Sequence, residues 1–455
     1  MQPFGGELLS ETGPKAGGPH YLLRFSTERT VAISTTAAGG NASLLRLAEQ
    51  PGLANLAVRL GFWGRNPVQG PEFHRSEIIV PRTLSRFMQL GIALLSGLAA
   101  STSQAATYCV TTVSELQAAL TAAAASPADD EIKVRQGVYA AGQQLVYNST
   151  NPGWAFITGG WTQVDQNNCA QQNGVAANTI LTGSGAHQVL SMVFNPPGSV
   201  SAGPRFGVQN LSIQAGYGDS ATFQRGGGLV MASYADVQTE LWIDNVIVAN
   251  NSGYFAGGAE LYARRGLIRI ANSQFSNNSA PTSAFGHLSA VSLSGDGPNG
   301  VLIVNSTFAN GQCPGNGTRG CGIGAMLGGG IRMDIINSLF FNNAISDVNI
   351  EGAASGGFGN GAAFANFSRI GLVSGTLPLS ATSPLVGDPR FVDAPNQDFR
   401  LRNDSPFLNQ ALGVVPVYGY LGYDLTGSLR NRFGAVDAGA YENQTWDFIF
   451  SNGFQ

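Results

Sequence analysis

The chain predicts an all-β fold, a right-handed parallel β-helix (solenoid) with an N-terminal capping helix. Three observations carry this: a short apolar motif around an asparagine that returns five times, glycine pairs between its returns, and a composition poor in charge. Only 11 % of the 455 residues are charged, while 61 are glycine, a poor recipe for surface helices and a good one for turn-rich β structure. The length suits two or three ordinary domains or one long solenoid, which grows without needing a wider core. A net charge of −4 leaves no basic footprint and sets nucleic-acid binding aside.

In chain order, residues 1–79 are polar, rich in glycine and without sustained periodicity. They are expected to be disordered, or an extension created by a start site assigned too far upstream, with a genuine cytoplasmic extension as the alternative. Residues 80–105 form a signal-peptide pattern: Arg82 and Arg86 precede the apolar run Met88 to Ala100, and Ser103 and Ala105 suit the −3 and −1 pockets of a signal peptidase. The run is too short to cross a bilayer of about 30 Å, so cleavage after Ala105 and a mature chain without a transmembrane helix are expected. Ser114 to Ala125 has an N-cap serine and apolar residues at Leu116 and Leu120, the amphipathic helix needed to cover the first coil.

The β-helix proper is expected over 106–383. Taking Asn210, Asn245, Asn272, Asn305 and Asn337 as zero, position −2 is Val208, Ile243, Ile270, Ile303 and Ile335, and position +3 is Ile213, Val248, Phe275, Phe308 and Phe340. Alternation before each asparagine marks a strand of period two. Anchor spacings of 35, 27, 33 and 32 residues suit coils whose turns accept insertions. The anchors are expected inside the stack as a ladder of amides about 4.8 Å apart. Asn250, Asn277, Asn310 and Asn342, at +5, suit the left-handed conformation at a turn. Glycines 226–228, 257–258 and 328–330 mark corners of close backbone approach. Residues 384–442, with Pro389, Pro395, Pro406 and Pro416, read as an irregular segment closing the far end, and 443–455 as an aromatic tail. The four cysteines suit an oxidising compartment; three pairings are open, and proximity favours Cys313 with Cys321, leaving Cys109 with Cys169.

Several of these elements resemble known families. The GGGL/GGAE and FSNN/FFNN pairs are similar to the repeats of polymorphic outer-membrane proteins. The run Gly387-Asp-Pro-Arg-Phe-Val, Asp398-Phe-Arg-Leu, Asp404-Ser-Pro and Val436-Asp-Ala-Gly-Ala-Tyr-Glu442 resembles the closing segment of bacterial choice-of-anchor Q proteins, with Asn409 where that family usually has Asp. Cys109-Val-Thr-Thr and Gly137-Val-Tyr resemble its first coil, so the likeness spans roughly 107 to 442. It implies a pectate-lyase-like fold and surface display, with no agreed activity. Ile449-Phe-Ser-Asn-Gly-Phe-Gln455 resembles the IFxNGFE ending of many exported bacterial proteins.

Hydrolysis needs a carboxylate pair on one face, and lyase chemistry an Arg or Lys base beside acidic calcium ligands. The acids of the repeat are scattered, so no catalytic residues, metal ligands or cofactors are assigned. An outward stripe of Trp242, Arg269, Leu302 and Asp334, joined by Asp244, Glu260, Tyr262, Arg264 and Arg265, suits sugar stacking and hydroxyl recognition, against the plainer reading of a solvated face with ordinary ion pairs. His187 and His287 read as structural. The expected protein is an exported monomer at the cell surface or outside it, non-catalytic, adhesin-like or binding polysaccharide or a surface glycan; a polysaccharide lyase or glycoside hydrolase of the same fold is the alternative.

Overall fold

A computed structural model describes residues 104–163, 169–219, 226–281, 285–294, 300–313, 320–413, 422–431 and 435–445. The upstream extension, the apolar core of the signal peptide and the tail from 446 onward lie outside them.

The described residues form a parallel β-helix: 23 strands join in one sheet that coils through three faces, and a two-stranded antiparallel piece lies near the C-terminal end. Face one carries the strand before each anchor asparagine, face two the strand after it, and face three the strand that follows the second bend. On face one, Val208, Ile243, Ile270, Ile303 and Ile335 stand in register through successive coils. On face two, Phe275, Phe308 and Phe340 stack with centroids 4.8 Å apart and nearly parallel planes, above Ile213 and Val248. These columns make one continuous buried core.

The anchor asparagines are placed differently from expectation. All five adopt the left-handed conformation, φ 47–55°, and this bend resets the alternation, so the following residue takes the inward position instead. The anchor amides stand on the outer side of the corner. They do form a ladder, Asn245 to Asn210 at 2.7 Å, Asn272 to Asn245 at 3.0 Å and Asn337 to Asn305 at 3.2 Å. Between Asn272 and Asn305 the guanidinium of Arg430 interposes, donating to the side-chain oxygen of Asn272 and the carbonyl of Asn305. The next residue supplies a serine ladder: Ser273, Ser306, Ser338 and Ser368 each accept from the backbone N–H of the coil below while donating to a carbonyl two residues back. Each corner N–H is thereby satisfied.

The second bend meets expectation, with Asn250, Asn277, Asn310 and Asn342 left-handed. Beside it runs a buried polar column that the repeat alignment does not reveal. Asn251 donates to Asn278, Asn278 to Nδ1 of His287, and Nε2 of His287 donates to Asn343. The coil between Asn278 and Asn343 carries Gly311 at this position, and a Cβ there would sit 2.9 Å from the imidazole. His287 fills the missing rung. The glycine pairs do pack closely: a Cβ on Gly257 or Gly258 would lie 2.4–2.5 Å from a carbonyl of the next coil.

The capping helix α1 spans Val113–Ala125. Its N-cap is Thr112, not Ser114: Thr112 and Glu115 complete a capping box, while Gln117, three residues after Ser114, bonds Val146 instead. Leu116 and Leu120 are buried as expected. Gln117 also donates to the carbonyl of Val146 and accepts from its N–H at the exposed strand edge, which blunts an edge open to aggregation. Cys109–Cys169 and Cys313–Cys321 are disulfides. Residues 384–442, expected to close the far end, lie instead, where described, along the flank as a strap over face two. Phe391, Phe399, Leu401 and Phe407 pack on Ala309 and Leu339, Leu412 bonds Asn337, and the carbonyl of Tyr423 accepts from Asn272. The outer polar ladder is what the strap covers.

Candidate functional site

The outward side of face one carries an aromatic and cationic cluster. Trp242 is in register with Gly207 below and Arg269 above. Gly207 leaves room for the ring of Phe156, which meets Trp242 edge-on at 5.9 Å. The Arg205 guanidinium lies over two indoles, 4.1 Å from the Trp154 centroid and 4.7 Å from that of Trp242, and Arg269 lies 4.7 Å from Trp242. Each arginine also holds an acid: Arg205 pairs with Glu240 at 2.6 Å, Arg269 with Asp244 at 3.0 Å. Trp154 stays 42 % exposed at the edge. Burial pushes the Asp244 carboxyl above its ordinary pKa, with Arg269 opposing.

Of the predicted site residues, the structure brings Trp242, Asp244 and Arg269 together and separates the rest. Asp334 lies three coils along from Trp242, accepting from Nε and Nη2 of Arg332, each at 2.7 Å. Between them Leu302, outward by register, is fully buried with Val304 against Leu267 and Ile336, an apolar patch in place of a polar stripe. Glu260 and Tyr262 stand on face three, where Tyr262 packs on Tyr234 at 5.3 Å and Glu260 is buried. Arg264 sits at the bend between. The strand Ala259–Ala271 is continuous in sequence, but Gly266, φ 135°, turns it through a corner, so neighbours in sequence face different ways. The alignment also missed Trp154, Arg205 and Glu240. Arg205 and Glu240 both sit five residues before an anchor and are in register; extending the alignment by one position would have paired them.

His187 bonds Ala141 and Gln188 carbonyls, and His287 belongs to the amide column. Asp388, Asp393, Asp398 and Asp424 each serve a local turn or arginine, and among the described residues no three His, Cys, Asp or Glu side chains gather as metal ligands. Among the described residues no helix is long and apolar enough to cross a membrane.

No known protein family matches the chain. Short stretches are similar to the bifunctional protein PutA. The likeness is 62 % over 37 residues to that of Salmonella typhimurium LT2, covering 8 % of this chain and 3 % of PutA. It is 69 % over 29 residues to that of Klebsiella aerogenes, covering 6 % and 2 %. The chain thus spans a few hundredths of the length of these relatives, too little to carry a fold or an activity across.

Proposed function

We propose that this is an exported, monomeric β-helix protein of the choice-of-anchor Q, pectate-lyase-like type. In this reading residues 80–105 are removed on export, and the chain is displayed at the cell surface or released, binding polysaccharide or a surface glycan without turning it over. The observation that supports glycan binding is the Trp154–Arg205–Trp242–Arg269 stack. The exposed part of the Trp154 indole offers apolar area to a pyranose ring, while the guanidinium and carboxylate groups fixed beside it meet the ring hydroxyls. Because each arginine is braced by a ring and an acid, little side-chain freedom is lost on binding. Trp242→Ala should weaken retention on immobilised polysaccharide by at least tenfold while the melting temperature stays within a few degrees; unchanged retention would remove the proposal. Sequencing the released chain should find its N-terminus at Ala106.

The enzyme reading keeps one supporting observation, the raised carboxyl of Asp244 beside an aromatic cluster, where a general acid is often found. A hydrolase needs a second carboxylate roughly 5–10 Å away, and Asp244's nearest charged neighbour in the described residues is Arg269. Release of reducing or unsaturated ends from a polysaccharide panel, abolished in Asp244→Asn, would favour it.

A further inference from the structure

Next to the aromatic cluster, a cleft of about 650 Å³ opens where the first coils meet the strap, within the range usual for ligand sites. Its walls are Gln172 and Asn173 from the hairpin after the first coil, Gln209, Asn210 and Asp244 from the rung corners, and Tyr423 from the strap. Two features suit it to a ligand. The outer amide ladder ends here: the coil below Asn210 carries Gly159 in register, so no rung lies beneath, and among the described residues no partner faces the Asn210 side-chain nitrogen. The Gln209 side chain likewise makes no hydrogen bond among the described residues, and the Tyr423 side chain stands at the rim, 61 % exposed. The strap and the hairpin both hold the cleft: Asn272 bonds the Tyr423 carbonyl at 2.8 Å and Asn245 the Gly174 carbonyl at 2.6 Å.

The lining amides can each donate and accept, as sugar hydroxyls do. No Lys, Arg or His lines the cleft among the described residues, and its one carboxylate, Asp244, is already paired with Arg269. An incoming carboxylate would find no unpaired cation on this wall, since Arg269 is already committed to Asp244. We propose that this cleft is a subsite for a neutral, hydroxyl-rich pyranose unit, reached from the Trp242 face, and that it selects against uronates. This rests on the glycan reading above.

The test is affinity electrophoresis of the full chain through gels carrying neutral polysaccharides (a β-glucan, a galactomannan) or polyuronates (polygalacturonate, alginate). At least one neutral polysaccharide should retard the protein and the polyuronates should not. Asn210→Gly, which keeps the left-handed backbone, and Gln209→Ala, which lies outside the ladder, should each weaken neutral binding at least tenfold with an unchanged far-UV spectrum. If Asn210→Gly alters the spectrum, Gln209→Ala decides. Retardation by polyuronates alone would overturn the cleft while leaving the aromatic face in place. Neutral binding lost in Trp242→Ala but untouched by Gln209→Ala and Asn210→Gly would do the same. Retardation by neither class would overturn both.

Discussion

His287 allows a sharp test of the buried amide column. Its imidazole is fully buried, accepts from Asn278 at 3.1 Å and donates to Asn343 at 2.9 Å, so it is neutral with the proton on Nε2. Burial pushes its pKa down to about 3, only partly opposed by the hydrogen bond to Asn343. In the unfolded chain the imidazole titrates near 6.5, so below that pH the unfolded state takes up the proton first. The contribution of His287 is therefore intact above pH 6.5 and lost as pH falls toward 3, at about 1.4 kcal/mol per pH unit, ~5 kcal/mol in all. His287→Gln keeps a donor and an acceptor in the column but removes the titration. At pH 7 it should cost about 1–3 kcal/mol for imperfect bonds to Asn278 and Asn343. Urea denaturation followed by tryptophan fluorescence at pH 7, 6, 5 and 4 should show the stability of the natural chain falling more steeply than that of the variant, by about 1.4 kcal/mol per unit. Asp347, hydrogen-bonded to Asn343 at 2.8 Å, is present in both proteins and cancels in the difference. Parallel pH profiles would refute the assignment of His287 as a neutral rung.

Phe308→Ala removes the middle ring of the Phe275–Phe308–Phe340 stack and should destabilise by about 3–5 kcal/mol, read from the urea midpoint. Arg430→Met breaks the guanidinium bridge between Asn272 and Asn305 and leaves these acceptors and the Gly439 carbonyl without their donor; the strap should become sensitive to protease at least tenfold sooner than the coils, in line with about 1–3 kcal/mol for each buried group left unbonded. Cys169→Ser opens a loop closed over 60 residues and should cost about 2–5 kcal/mol, seen as a lower melting temperature under non-reducing conditions.

Face two and the inner column were legible because a parallel stack repeats the same environment at a fixed offset from each anchor: Ile243, Ile270 and Ile303 sit in one column because each must fill the same space. The outer surface has no such repetition. Arg430 meets Asn272 across 158 residues, and nothing in a 30-residue repeat announces it. The anchor asparagines were misplaced for a local reason, since counting in twos carries through a strand but fails at a single left-handed residue. Likewise Glu260 and Tyr262 looked adjacent to Arg269 only because Gly266 hides a corner inside one strand.

Amide ladders satisfy themselves wherever they are continuous, so chemistry toward other molecules belongs at their breaks. Two breaks at glycine among the described residues show the contrast. At Gly311 the gap is inside the stack, and His287 reaches in from the third face to restore both bonds, so the break is structural. At Gly159 the gap is on the outer corner. The hairpin and the strap come up beside it without a described side chain bonding the Asn210 nitrogen, and they leave a cleft rather than a plug. An interior break must be filled by the chain itself because an unbonded buried amide is costly. An outer break can be left to solvent or to a ligand, and that difference is what makes Asn210 and Gln209 the residues by which the binding proposal is judged.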